Sequence, residues 1–188
     1  MSSKFLARFF VILFLSYIPA LNAAEIQKTE ALKVAYLYYF SKFISWPEEV
    51  QSEMESLNLC AGEVNENIRF QLGTIDGKKV GQKTLHVVYL EPDDDSHYAD
   101  REDKNESVIE RCNILFVSNN MIDWYHERLA RVPEHALVVA ESESVARRVI
   151  LLHRSDNKLK FEIDNDIAIQ KGLKISSKLL KLSQEKSR

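Results

Sequence analysis

Glycine and proline are scarce in this chain, five and four among 188 residues, which excludes a flexible linker or a low-complexity polymer. Cysteine occurs only at Cys60 and Cys112. Two thiols do not make a zinc site, and no histidine stands at ligand spacing from either. Beyond the N-terminus no apolar run approaches the ~20 residues that a spanning helix needs. Basic clusters are missing too, and a formal net charge of −3 gives nucleic acid or anionic lipid little to grip. Catalytic motifs are equally absent. His86, His97, His126, His135 and His153 form no H-E-x-x-H pattern, and Gly73, Gly77 and Gly81 match neither phosphate-binding glycine spacing. No serine occupies a G-x-S-x-G elbow, and Asp93-Asp94-Asp95 lacks the alternating ligands of a calcium loop. The expectation is a protein with no catalytic residue, no metal and no cofactor.

What is present begins at the N-terminus. Lys4 and Arg8 precede the apolar run Phe9 to Leu15, and small residues cluster at Asn22-Ala23-Ala24. This is the layout of a secretory signal peptide over residues 1–24, cleaved near Ala23 or Ala24. The apolar run is too short for a membrane anchor, and Pro19 interrupts its end. The first 24 residues hold two of the 25 basic residues and none of the 28 acidic ones, so the remainder carries a net charge of −5. In an exported chain an even cysteine count suggests a Cys60–Cys112 disulfide; two separate buried thiols are the alternative.

Periodicity supplies the elements. Leu32, Ala35, Tyr36, Tyr39, Phe40, Phe43 and Ile44 recur at helical spacing, predicting an amphipathic helix from Thr29, its N-cap, to the stop at Trp46-Pro47. Strands are expected at 57–61, 84–90, 113–117 and 136–140, with helices at 67–72 and 121–130. The polar stretch Asp93–Glu106 reads as exposed and irregular. A hairpin follows, 149–153 and 159–163 around a turn at Ser155-Asp156-Asn157. A helix over 164–171 is stopped by Gly172, and 176–182 forms a last helix presenting Leu179, Leu180 and Leu182. Alternating strands and helices predict a single layered α/β domain over 25–188, with a mostly parallel central sheet flanked by helices and a C-terminal hairpin. Open α/β sheets take ligands beyond the carboxyl ends of their strands. Ser118 and Asn119, with Glu141 and Ser142, therefore mark the candidate ligand cleft.

Four segments together resemble the YfiR-like family of exported bacterial proteins. They are Ala31–Phe40 running into Phe43-Ile44-Ser45-Trp46-Pro47, Leu59-Cys60 with Gly62 close behind, Cys112–Val117, and Phe161-Glu162-Ile163-Asp164 leading to Gly172–Leu182. The resemblance implies a periplasmic, non-catalytic α/β protein. It implies inhibition of a membrane-bound diguanylate cyclase, or a related sensor protein, by binding its periplasmic sensor domain, which lowers cyclic-di-GMP and restrains biofilm growth. It further implies a homodimer, a link to periplasmic redox state, and Cys60 and Cys112 as the family's strand-bordering pair. Two departures stand out: there is no second cysteine pair, and Ala146-Arg147-Arg148 stands where many members place glycines.

On a strand, Phe161 and Ile163 face one side and Glu162 and Asp164 the other. With the first pair in the core, Glu162 and Asp164 beside Asp166 and Ile167 form the expected partner-binding edge. Two other readings compete. One is a small-ligand-binding or sensory subunit using the cleft; the other is a hydrolase acting through Ser118 or Glu141.

Overall fold

Residues that alternate along the three most apolar strands sort the molecule into two cores. The computed structural model describes residues 18–90, 108–156 and 158–183. Most of the predicted signal peptide (residues 1–17), the stretch Asp93–Glu106 and Asn157 of the predicted turn lie outside the described residues. Within them the chain runs α1 (Ile18–Phe43), β1 (Ile44–Ser45), α2 (Glu48–Glu53), β2 (Leu57–Gly62), α3 (Glu66–Gly73), β3 (Lys79–Val80), β4 (Lys83–Leu90) and β5 (Ile114–Val117). A 3-10 turn, Asn119–Met121, leads into α4 (Ile122–Glu127), followed by β6 (Leu137–Ala140), β7 (Ile150–Ser155), β8 (Lys158–Ile163), α5 (Asn165–Gln170), β9 (Lys174–Ile175) and α6 (Ser177–Leu182).

Seven strands form one sheet in the order β3-β4-β2-β5-β6-β7-β8. The five central strands are parallel, and β3 and β8 pair antiparallel at the two edges. The expected mostly parallel sheet with a C-terminal hairpin is what forms, and the hairpin pairs Ile150 with Ile163 through to Ser155 with Lys158. Every residue of β5 and β6 is buried, as strands covered on both faces require. Leu59, Ala61, Ile114, Phe116, Leu137 and Val139 enter one core, under Val34, Leu37 and Phe40 of α1 and Ile68 and Leu72 of α3. Their neighbours Cys60, Leu115, Val117, Val138 and Ala140 enter the other, with Met121 and Tyr125.

Helix α1 departs from expectation at both its start and its rotation. It already runs from Ile18 in the described residues, so Thr29 lies inside the helix and not at its N-cap. The sequence Ala-Leu-Asn-Ala-Ala-Glu ahead of Thr29 is rich in helix formers. The buried line is Val34, Leu37, Phe40 and Ile44, whereas Leu32 and Tyr39 are 39% and 52% exposed. Aromatic and aliphatic residues occupy more than one face of this helix, so spacing alone admits two rotations. The rotation is set across the sheet by the rings of Tyr36 and Phe40, which each meet Phe161 of β8 edge-on at 5.2 Å.

The chain's two ends are joined below α1. Ile44 pairs with Ile175 and Ser45 with Lys174, and the Ser176 N–H donates to the Phe43 carbonyl at 2.9 Å. Gly172 makes the approach possible: its φ is +71°, and a Cβ there would lie 2.8 Å from Pro47 Cγ. Asn65, Asp164 and Ser176 cap α3, α5 and α6 by accepting from the N–H groups of Ile68, Ile167 and Leu179.

Cys60 and Cys112 form a disulfide with Cα atoms 5.8 Å apart, buried in the second core. It closes a separation of 52 residues, worth about 4 kcal/mol on the chain-entropy account. Replacing both by alanine should lower unfolding stability by about that amount, read as a fall in the urea midpoint with a somewhat steeper slope, because the uncrosslinked unfolded chain exposes more surface.

Candidate functional site

In a sheet of this order the chain leaves β2 for β4 on one side and later returns to β5 on the other. The gap between β2 and β5 is therefore the topological switch point, where such sheets ordinarily hold ligands. Here the gap is filled. The Gly62 N–H donates to Met121 Sδ at 3.1 Å, and a Cβ on Gly62 would lie 2.9 Å from that sulfur. Ser118, at the end of β5, is buried and its Oγ has no hydrogen-bond partner. Among the described residues no histidine or carboxylate hydrogen-bonds to it.

An open pocket of about 290 Å³ lies one strand further along. Asn119 and Glu141, from the ends of β5 and β6, both line it, together with Glu30 and Lys33 of α1 and His153 and Arg154 of β7. The structure thus brings together two of the four sequence-predicted cleft residues. Ser142 is not among the lining residues; its Oγ meets that of Ser144 at 2.9 Å. Lys33 is the member that sequence reading missed. Its Nζ lies 2.6 Å from Glu141 Oε1 and 3.0 Å from Glu30 Oε2. Burial alone would lower the lysine's pKa, but the hydrogen bonds and charges of Glu141 and Glu30 outweigh it and hold the ammonium above its ordinary value. The only trace in sequence is Glu30 three residues before Lys33 on one helix, a pair that usually sits in solvent.

A larger cavity, about 900 Å³, opens at the amino ends of β2 and β4. Trp46 and Met54 form part of its wall, and Lys42, Lys83 and Lys174 bring cations to it. Lys83 Nζ is committed to the Met54 carbonyl. Residues remote in sequence meet here because β1 pairs with β9.

The predicted partner-binding edge divides in the structure. Asp164 is the N-cap of α5, its Oδ1 accepting from the Ile167 N–H at 3.1 Å, and Ile167 packs partly against the core. Glu162 Oε1 lies 3.3 Å from His153 Nε2, with 30% of its side chain exposed. Asp166 is exposed, and beside it Ile169 is 64% exposed. The free face of α5 is therefore Asp166 and Ile169, with Glu162 at its border. Among the described residues no group of histidine, cysteine, aspartate and glutamate could hold a metal ion, and no helix is long and apolar enough to cross a membrane.

The sequence model of the YfiR/HmsC-like family matches residues 30–184, from the middle of α1 to just past α6. No curated protein matches the chain.

Two outcomes test the packing of this region. Gly62→Ala should destabilise the fold by about 1–3 kcal/mol through overpacking, and a double-mutant cycle with Met121→Ala should give less than the sum of the two single costs. Glu141→Gln leaves Lys33, whose side chain is 15% exposed, with Glu30 alone, and should cost about 2–3 kcal/mol at neutral pH. A raised lysine pKa contributes stability that is complete below the unfolded value of 10.5 and is lost as pH rises through the folded value. The denaturation curves of wild type and Glu141→Gln should therefore converge only above pH 10.5.

Proposed function

The chain belongs to the YfiR/HmsC-like family, and from that membership we propose that it is a non-enzymatic periplasmic regulator that inhibits a membrane-bound diguanylate cyclase. It binds the periplasmic sensor domain of that partner and lowers cyclic-di-GMP output. The observation that carries this reading is the family match over residues 30–184, which takes in the whole seven-stranded sheet and both helical layers. Export by the predicted signal peptide, with cleavage near Ala23 or Ala24, delivers the protein to the compartment where its disulfide persists.

Inhibition is a population shift. The regulator binds the inactive form of the cyclase more tightly than the active form, and taking a partner from 1:99 to 99:1 needs a differential of about 5.5 kcal/mol. The free face of α5, Asp166 and Ile169 with Glu162 at its edge, supplies contact residues for the partner: an apolar side chain rimmed by acids. A homodimer presents two such faces. The second reading, a small-ligand-binding sensory subunit, is favoured by the 900 Å³ cavity at the amino ends of β2 and β4.

Deleting the gene should raise intracellular cyclic-di-GMP and restoring it should reverse the rise; an unchanged level removes the cyclase assignment. The mature protein, tagged at its C-terminus, should capture a membrane protein with a cytoplasmic cyclase domain from detergent-solubilised membranes. Asp166→Lys with Ile169→Asp should reduce that capture at least tenfold while circular dichroism stays unchanged. Glu162→Lys should also weaken it.

A further inference from the structure

Two consecutive arginines precede β7, and the backbone sends them different ways. Arg148 turns back on its own loop, its Nη1 donating to the carbonyls of Glu143 and Val145. Arg147 has a φ of +54°, a left-handed conformation that costs a side-chain-bearing residue about 1 kcal/mol or more. The loop is held in that state from the sheet's second face: the Tyr125 hydroxyl donates to the Ala146 carbonyl at 2.7 Å, and the Ala146 N–H donates to His126 Nε2 at 3.4 Å.

The result is that Arg147 lines a cavity of about 320 Å³ with Lys171, Glu134, Ile167 and Gln170. It lies at the amino ends of β6 and β7, away from the pocket of Lys33 and Glu141. Lys171 Nζ donates to the Glu134 carbonyl oxygen at 2.9 Å. Among the described residues neither Arg147 nor Lys171 makes an ion pair. Two cations thus line one small cavity, with a single carboxylate, that of Glu134, beyond ion-pair distance. A guanidinium with its planar fork of donors and an ammonium with rotatable ones suit a shared oxyanion, which both can reach with charge-assisted hydrogen bonds. Ile167 adds an apolar wall for whatever the anion is attached to.

We infer that Arg147 and Lys171 form a binding site for the oxyanion group, phosphate or carboxylate, of a small ligand. The site adjoins the α5 face assigned to the cyclase, and its argument stands whether or not that assignment holds. The electrostatics agree. Burial, then the Arg147 charge, lower the Lys171 pKa to about 8, with Glu134 opposing. His135, which also faces Lys171, has its pKa lowered by burial and by the Lys171 charge, against Glu134 and Glu53. An anion between the two cations turns their repulsion into attraction and draws a proton onto Lys171.

The test is a backbone amide NMR titration of the mature protein with sodium sulfate at constant ionic strength, sulfate being doubly charged at every pH used. Saturable shifts at Arg147 and around Gln170–Lys171 are expected. Arg147→Gly, which suits the left-handed backbone and so keeps the fold, and Lys171→Met should each weaken binding at least tenfold. Affinity in the wild type should fall about tenfold between pH 7 and pH 9 as Lys171 loses its proton. Absent saturation, unchanged affinity in either variant, or pH-independent affinity overturns the inference. Acetate under the same conditions distinguishes the sources: tighter sulfate assigns a phosphate-type ligand, and tighter acetate a carboxylate.

Discussion

The structure depends on the burial of β2, β5 and β6 on both faces. A parallel strand with no solvent face must alternate its side chains between two cores, and each core needs its own cover. Helices α1, α3, α5 and α6 close one side, and α4 with Ile109 closes the other. Once both faces are taken, function is confined to the strand ends, the loops that join them and the outer helices. The usual opening between β2 and β5 is lost as well, because Gly62 admits the Met121 sulfur. Every candidate site in the molecule is displaced from that point: toward β6 and β7, below the sheet, or onto α5.

The disulfide fits the same constraint. Cys60 and Cys112 lie in the core whose described helical cover is the thinner, a short α4 and a few residues around Ile109. A covalent link between β2 and the approach to β5 ties the two central strands together.

How much of this was legible differs by element. The strands 57–62, 114–117 and 137–140 were readable because continuous burial leaves an unbroken apolar run. The hairpin was readable from alternation about a polar turn. By contrast β1, β3 and β9 have two residues each, too few for any periodicity, and β1 and β9 are defined only by a partner more than a hundred positions away. The rotation of α1 was hidden by its many aromatics. In the cleft, Asn119 and Glu141 were foreseeable because strand ends converge in any open α/β sheet. Lys33 was not, since its partner Glu141 is distant in sequence. Ser118 reads as a loop serine but is buried, because β5 is covered right to its end. Arg147 was noticed only as a departure from family habit; nothing in its neighbours announces a left-handed backbone.

The joining of the chain's ends has a consequence for how this protein is made. Helix α1 precedes the sheet in sequence, yet its packing partners include Phe161 on β8 and α6, and β1 just after it pairs with β9. Contacts of such long sequence separation form late. Helix α3 reaches α1 early, through Ile68 and Leu72, whereas the contacts with β8 and α6 wait for residues beyond 158. The pairing of β1 with β9 is then a closing step, one that needs residues 174–175 in place before Ile44 and Ser45 have a partner strand.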